Sequence, residues 1–199
     1  MISTGSHLPV AGPGDCRWPT GSWWGSTPWS DPVQRSLSDL VMTWTTHATG
    51  GAPSDCREAD VVIEASALGS GDVLGPLAGR AMGWEGWEQP PSRAVVLVDD
   101  AWLGAHGAPD RAGRSGAAVA VARSSALRMT ARGTTVNVVS LPAGFPDGRS
   151  AIGAPLQGQV GVADLSHVLR FLLQPDNGYI TGQVIALTGG DLVWSSLSM

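Results

Sequence analysis

The sequence predicts a single α/β domain built on a doubly wound parallel sheet, and three observations lead to this fold class. Short runs of apolar and β-branched residues have the length of strands buried on both faces. Segments with apolar residues at helical spacing alternate with these runs, as in strand–helix–strand units. The chain has 199 residues, 43% of them hydrophobic, which is enough for one such domain with a sizeable core.

The first 30 residues are predicted to form an irregular N-terminal arm, followed by the α/β domain at residues 31–199. The arm is dense in Gly, Pro, Ser and Trp and follows neither strand nor helix periodicity. Large apolar side chains such as tryptophan are usually buried, so the arm is expected to pack against this domain or against a partner. Its tryptophans are Trp18, Trp23, Trp24 and Trp29.

The first half of the domain is expected to contain two helices and two strands. Asp31 is a good N-cap and Pro32 suits the first turn, so a helix is predicted over about residues 32–47, ended by Gly50 and Gly51. The elements predicted next are a buried strand at 59–66, a short helix at 72–84, a turn-rich link at 83–91 and a second buried strand at 93–100.

The second half of the domain begins with the longest predicted helix. The Ala-rich, proline-free segment 110–132 forms this helix, and Gly133 is its C-cap. A third strand follows at 134–141, and residues 142–144 turn the chain out of it. Residues 163–173 predict a helix with one apolar face, capped by Asp164 or an earlier residue, and a fourth strand is predicted at 182–190.

The composition excludes several classes of function. The chain has 12 Arg and no Lys against 17 Asp and Glu, and this net charge of −5 gives no general attraction for nucleic acid or anionic membranes. Mechanisms that need a lysine amine are excluded. Cys16 and Cys56 lack the spacing of metal ligands, so no metal site is expected. Because neither a membrane span nor a secretory signal is recognised, the protein is predicted to be cytoplasmic.

Two stretches of the sequence have the pattern of a known family. One is AAVAVARSSALRMTARGTTVNVVSLPAGF, a long helix followed by a strand and a turn. The other is ADLSHVLRFLLQPDNGYITGQVIALTGG, which joins a helix and a turn to Tyr179, Gly182, Gly189 and Gly190. Both resemble the short-chain dehydrogenases/reductases, and with the two preceding strands the resemblance covers about residues 58–190. It implies a Rossmann-like fold whose N-terminal part is truncated or remodelled.

The resemblance also implies where the family's catalytic residues would fall, and the sequence departs from them. The family uses a tyrosine as acid and base, a lysine four residues later and an upstream serine. The corresponding positions are Arg111 for the tyrosine and Ser115 for the lysine, with Asp99 or Asp100 for the serine. Arginine does not exchange its proton at neutral pH, so no catalytic residue is expected here.

The nicotinamide site that the family carries is expected to be missing as well. Its glycine-rich turn after the first strand has only a chance counterpart between Thr4 and Gly14, with prolines inside it. Residues 64–67 stand where the family has Asn-Asn-Ala-Gly, which places the carboxylate of Glu64 near the nicotinamide ribose. We therefore expect this chain to bind no cofactor, with NAD(P) held by a partner subunit.

The main functional hypothesis is a non-catalytic subunit, a pseudoenzyme, that pairs with an active homologue. The resemblance implies a hetero-oligomeric oxidoreductase complex, a ketoreductase or alcohol dehydrogenase of secondary metabolism or acyl-thioester chemistry, in which this chain supplies a helix face and its last strand. Small residues on the long helix permit close approach of a partner helix. The expected interface residues are Ala118, Ala122, Ser125, Leu127, Tyr179, Val184 and Trp194.

Two alternatives stay open at this point. The first is a repurposed enzyme of the same fold without nicotinamide, such as a dehydratase, isomerase or cyclase, because acidic and basic residues follow the strands where ligands bind in open α/β sheets. Its candidate residues are Glu64, Asp99, Asp100, His106 and Arg111. The second is a non-enzymatic regulator or ligand-binding protein that uses the Trp-rich arm as its binding surface.

Overall fold

The predicted parallel α/β fold is confirmed in the computed structural model, which describes residues 20–25, 27–41, 43–47, 59–68, 90–103, 108–146, 156 and 159–190. The strands are β1 Thr20–Trp24, β2 Thr43–His47, β3 Val61–Glu64, β4 Arg93–Asp99, β5 Thr135–Leu141 and β6 Val184–Ala186. They form one sheet in the order β2-β1-β3-β4-β5-β6, and every neighbouring pair is parallel.

The helices cover the two faces of this sheet. They are α1 Ser30–Ser36, α2 Pro109–Met129 and α3 Val162–Leu173. Alternate residues of β4 divide between the two layers: Val96 and Val98 pack with α2, whereas Val95 and Leu97 pack with α1 and α3. A parallel strand buried on both faces has this continuous apolar sequence, which is why it was predictable.

Most elements of the resembling region agree with their predictions. β3, β4, β5, α2 and α3 confirm the two buried strands, the third strand, the longest helix and the apolar-faced helix. Gly133 ends the short 3-10 turn after α2 at a φ of 75°, a left-handed conformation that favours glycine. The side chain of Asp164 caps α3 by accepting a hydrogen bond from the Gly161 amide at 2.8 Å. β6 is shorter than the strand predicted at 182–190.

The N-terminal elements differ from their predictions. β1 lies inside the segment predicted to be irregular. A single helix was predicted over 32–47, but α1 ends at Ser36 and β2 occupies the end of that range. Gly21 and Trp44 are partners in the β1–β2 register, and a Cβ on Gly21 would come within 2.6 Å of the Trp44 ring. Glycine therefore lets an indole of β2 lie directly across β1, and this tertiary pairing outweighs the helical spacing of the apolar residues.

Asn137 links β5 to the chain segment that leads into β6. Its side-chain amide donates to the Ile180 carbonyl at 2.8 Å, and its carbonyl oxygen accepts from the Gln183 amide at 3.1 Å. Asn137 itself is almost completely buried. Both bonds satisfy backbone groups that precede β6 and have no partner in the β5–β6 pairing. Asn137 therefore fixes the position at which the chain enters the edge strand β6.

Replacing Asn137 with Ala is expected to lower the free energy of unfolding by about 2 kcal/mol, because buried backbone donors and acceptors lose their partner. Urea unfolding followed by circular dichroism measures this change. Gln183→Ala is the matched control, since that side chain is more exposed and bonds only the nearby Thr181 carbonyl. Equal stability of the two variants would contradict the linking role of Asn137.

Several predicted elements lie outside the described residues. They are the helix at 72–84, nearly all of the link at 83–91, His106 and Trp194. Within the described part of the chain, no helix is long and apolar enough to cross a bilayer. No group of three or more His, Cys, Asp or Glu able to hold a metal ion is found among those same residues.

Candidate functional site

The carboxyl ends of the strands form the candidate site, because the chain order reverses between β1 and β3. β1 pairs with β2 on one side and with β3 on the other, which makes this point the topological switch of the sheet. Open α/β sheets bind their ligands at such a point, outside the carboxyl ends of the strands. The segments that follow β1, β3, β4 and β5 converge on this edge.

A polar cluster around Asp99 occupies the end of β4. One carboxylate oxygen of Asp99 accepts hydrogen bonds from the Ala101 amide at 2.9 Å and from the Ser115 hydroxyl at 3.1 Å. The other oxygen lies 3.4 Å from Nε of Arg111, and the two side chains are 13% and 42% exposed respectively. Three of the sequence positions matched to the family's catalytic residues thus lie together at the end of β4.

The Asp99 carboxylate is the acceptor of this cluster, whereas Nε of Arg111 lies 3.4 Å from it and is buried without a hydrogen-bond partner. The carboxylate oxygens have a hydroxyl, a backbone amide and a guanidinium as neighbours, and Ser115 and Arg111 both extend from α2. Within the described residues, this cluster offers no group that takes up and releases a proton at neutral pH, because the arginine stays protonated and the serine hydroxyl donates to Asp99. Its geometry is that of a structural contact between β4 and α2.

The other acidic candidates have different surroundings. Asp100 accepts a hydrogen bond from the Ala143 amide at 3.2 Å and so joins the turn after β4 to the turn after β5. Glu64 ends β3 and is completely buried. Beside them, the indole N–H of Trp102 donates to the Ser140 hydroxyl at 3.0 Å, a contact that the sequence did not indicate. Asp99 and Asp100 therefore engage different partners and do not form a carboxylate dyad.

The turn after β1 is where a dinucleotide-binding fold would receive the pyrophosphate. It begins at Gly25, whose φ of 92° favours glycine. The segment from Thr4 to Gly14 lies outside the described residues. The sequence missed this turn because the strand before it, rich in Trp and Gly, was predicted to be irregular. The residues that follow decide whether the turn suits an anion.

These residues do not fit a pyrophosphate. The N-terminal turn of a helix binds an anion through free backbone amides. In α1 the Ser30 amide donates to the Thr27 carbonyl at 3.2 Å, and Pro32 has no amide hydrogen. Asp31, between them, adds an acidic side chain in this first turn. Trp29, only 6% exposed, fills the space beside the turn where small residues would let a ligand approach.

The residues expected at an interface separate into core and surface positions. Ala118, Ala122 and Ser125 are buried on the face of α2 that packs against the sheet, so they belong to this chain's own core, which corrects the prediction for these three. Leu127 on the outward face of α2 is 83% exposed, and Tyr179 is fully exposed. Val184 is half-buried on the edge strand and packs against the core next to α2.

Replacing Ser115 with Ala is expected to lower the free energy of unfolding by about 2 kcal/mol, because a buried hydroxyl that donates to a carboxylate is lost. Arg111→Ala is expected to cost less than about 1 kcal/mol, since the Arg111 side chain is 42% exposed and water partly replaces the ion pair. Urea unfolding compares the two variants with Ser124→Ala, a control on the exposed face of the same helix. A neutral Ser115→Ala variant would show that the Asp99 contact contributes nothing in solution.

Comparison with known proteins agrees with the fold. A chain described as a short chain dehydrogenase/reductase family protein superposes with a TM-score of 0.59, covering 88% of this chain and 87% of that one at 15% identity. The 3-alpha-hydroxysteroid dehydrogenase from Pseudomonas sp. B-0831 gives a TM-score of 0.62 over 90% and 99% of the two chains at 17% identity. YwfH, an NADPH dependent reductase involved in bacilysin biosynthesis, gives 0.63 over 86% and 99% at 13% identity.

The sequence comparison is narrower. One curated relative is (2S)-[(R)-hydroxy(phenyl)methyl]succinyl-CoA dehydrogenase subunit BbsD of Thauera aromatica, 29% identical over 115 residues. The match covers 52% of this chain and 46% of that protein, so the chain spans about half the length of this curated relative. No family model matches the sequence. The chain has the Rossmann-like fold of the short-chain dehydrogenases/reductases and is similar in sequence to a dehydrogenase subunit.

Proposed function

We propose that this chain is a non-catalytic, cytoplasmic subunit that pairs with an active short-chain dehydrogenase/reductase. In this hetero-oligomer the active homologue carries the NAD(P) and the catalytic residues, and this chain carries neither. The assembly is a ketoreductase or alcohol dehydrogenase, and this chain supplies a pairing surface that stabilises the oligomer. The proposal rests on one observation above all: Asp99, Arg111 and Ser115 stand at positions matched to the family's catalytic residues and contact one another.

The Asp99 cluster supports a non-catalytic role through the chemistry of its members. Reduction of a carbonyl by a nicotinamide needs a group that delivers a proton to the developing alkoxide. At this position a carboxylate would instead place negative charge next to the oxygen, and the arginine beside it is held by that carboxylate at 3.4 Å. The same geometry disfavours a repurposed acid–base enzyme, since Asp99 and Asp100 are both engaged with backbone or side-chain donors.

The outward face of α2 supports the pairing. Gly113, Ala120 and Ser124 are small exposed residues on this face, where another helix can approach closely, and Arg123 is exposed beside them. Leu127 stands among them as a large exposed apolar side chain. The apolar side chain of Leu127 is buried only when a second chain covers this face, and the leucine is then the anchor, with Arg123 beside it.

The relative adds the chemical class of the assembly. BbsD is named as a subunit of a dehydrogenase whose substrate is a succinyl-CoA derivative. By similarity, we place this chain in an assembly that oxidises an alcohol or reduces a ketone on an acyl thioester, including those of secondary metabolism. The partner chain is then an active enzyme of this same fold.

Co-expression with the nearest full-length homologue encoded beside it is expected to give a stable mixed oligomer. Size-exclusion chromatography with mass determination measures the assembly, and nicotinamide absorbance measures carbonyl reduction by each chain alone and by the mixture. We expect activity only where the homologue is present. Carbonyl reduction by this chain alone would refute the proposal.

Leu127→Glu is expected to raise the dissociation constant of the mixed oligomer by at least about tenfold. The helix face is covered in the assembly, so the glutamate would lose its hydration there without gaining a partner. Leu156→Glu is the matched control, since Leu156 is 71% exposed and lies away from α2 along the chain. Dissociation constants from sedimentation compare the two variants. Equal weakening, or none, would show that α2 is not the pairing surface.

A further inference from the structure

A row of aromatic rings runs across the sheet face covered by α1 and α3 and reaches the carboxyl edge of the sheet. Trp23 is the centre of this row, with ring centroids 6.2 Å from Trp44 and 5.8 Å from Trp29. Trp29 in turn meets Phe145 at 5.0 Å with the rings perpendicular. Edge-to-face contacts at these distances are favourable arrangements of aromatic rings. We refer to Trp44, Trp23, Trp29 and Phe145 as the aromatic bridge.

The aromatic bridge crosses the point where the chain order of the sheet reverses. Trp29 follows β1 and Phe145 follows β5, and two strands, β3 and β4, lie between those strands in the sheet. Three strand spacings correspond to about 14 Å. Because Trp29 and Phe145 follow strands that lie this far apart, their contact brings the two segments together over the ends of β3 and β4. An open α/β sheet receives a dinucleotide at these strand ends.

The bridge is also anchored to the turn after β1. The indole N–H of Trp23 donates to the Gly25 carbonyl at 2.9 Å, in the buried interior. Trp23 is completely buried and Trp29 nearly so, and both belong to the core cluster that contains the apolar face of α3. The rings therefore fix the conformation of the turn from inside the protein, in a position where a glycine-rich turn would be fixed by its bound phosphates.

We infer that the aromatic bridge takes the structural place of the dinucleotide, tying the first turn of the sheet to the segment after β5 so that this edge is ordered without a cofactor. The inference deepens the proposed function and rests on it for one consequence. A subunit whose edge is ordered in this way can pair with the active homologue whether or not nicotinamide is present. The residues of the bridge act by packing and are positioning residues of the edge.

The test uses the full chain and the variant Trp29→Ala, with Phe171→Ala as an aromatic control on the exposed surface of α3. Thermal unfolding and amide hydrogen exchange are measured with and without 1 mM NADH or NADPH. We expect Trp29→Ala to lower the unfolding midpoint by on the order of 10 °C. We also expect faster exchange at the amides of Ala143 and Phe145, across the bridge, and no change in Phe171→Ala.

A second variant separates a specific contact from general loss of packing. Phe145→Leu keeps an apolar side chain but removes the ring, and it also serves if Trp29→Ala does not fold. In a double-mutant cycle with Trp29→Leu, we expect a coupling of about two- to tenfold in the unfolding equilibrium. Phe171→Leu in the same cycle is expected to show none.

The nucleotide titration carries the decisive outcome. We expect neither nucleotide to raise the thermal unfolding midpoint of the wild-type chain. A ligand present at a hundred times its Kd would raise this midpoint by several degrees. Such a rise would overturn the inference, as would unchanged exchange at Phe145 in Trp29→Ala. Both measurements use this chain alone, so failure of the inference is distinct from failure of the pairing, which shows only in the mixture with the homologue.

Discussion

A parallel sheet must be covered on both faces, and this requirement governs how the chain uses its residues. One face is covered by α2, whose small buried side chains lie close against β4 and β5. The other face is covered by the shorter α1 and by α3. Because α1 has only seven residues, tryptophans from β1, β2 and the turn after β1 supply apolar volume on that side. The aromatic bridge is part of this covering layer.

The carboxyl edge of the sheet follows from the same constraint. Strand ends carry polar groups that must be satisfied once helices and rings close over them. In many open α/β proteins a bound ligand meets part of this need. Here the chain meets it with its own groups: Asp99 with Ser115 and Arg111, Asp100 with Ala143, and Gly25 with the indole of Trp23. Among the described residues these contacts join the strand ends, although Oγ1 of Thr27 and Nε of Arg111 are buried without a hydrogen-bond partner.

The sequence was sufficient for the elements whose pattern is local. The continuous apolar runs of β3, β4 and β5 and the long proline-free α2 follow rules that operate within a few residues. β1 and β2 were not predictable in this way, because Gly21 and Trp44 make sense only as a pair across two strands. The face of α2 was misassigned for Ala118, Ala122 and Ser125, since small residues suit a core as well as an interface. Trp29 and Phe145 meet from distant parts of the chain, and no local signal connects them.

The Asp99 cluster also determines how such a sequence can change over time. Asp99 has limited access to solvent, so losing Ser115 removes one of its hydrogen-bond donors, and losing Asp99 leaves a buried hydroxyl without its acceptor. Substitutions at contacting positions are not additive. Asp99 and Ser115 are therefore expected to covary among related chains, because replacing either residue alone passes through a less stable intermediate, which favours keeping the present pair in evolution.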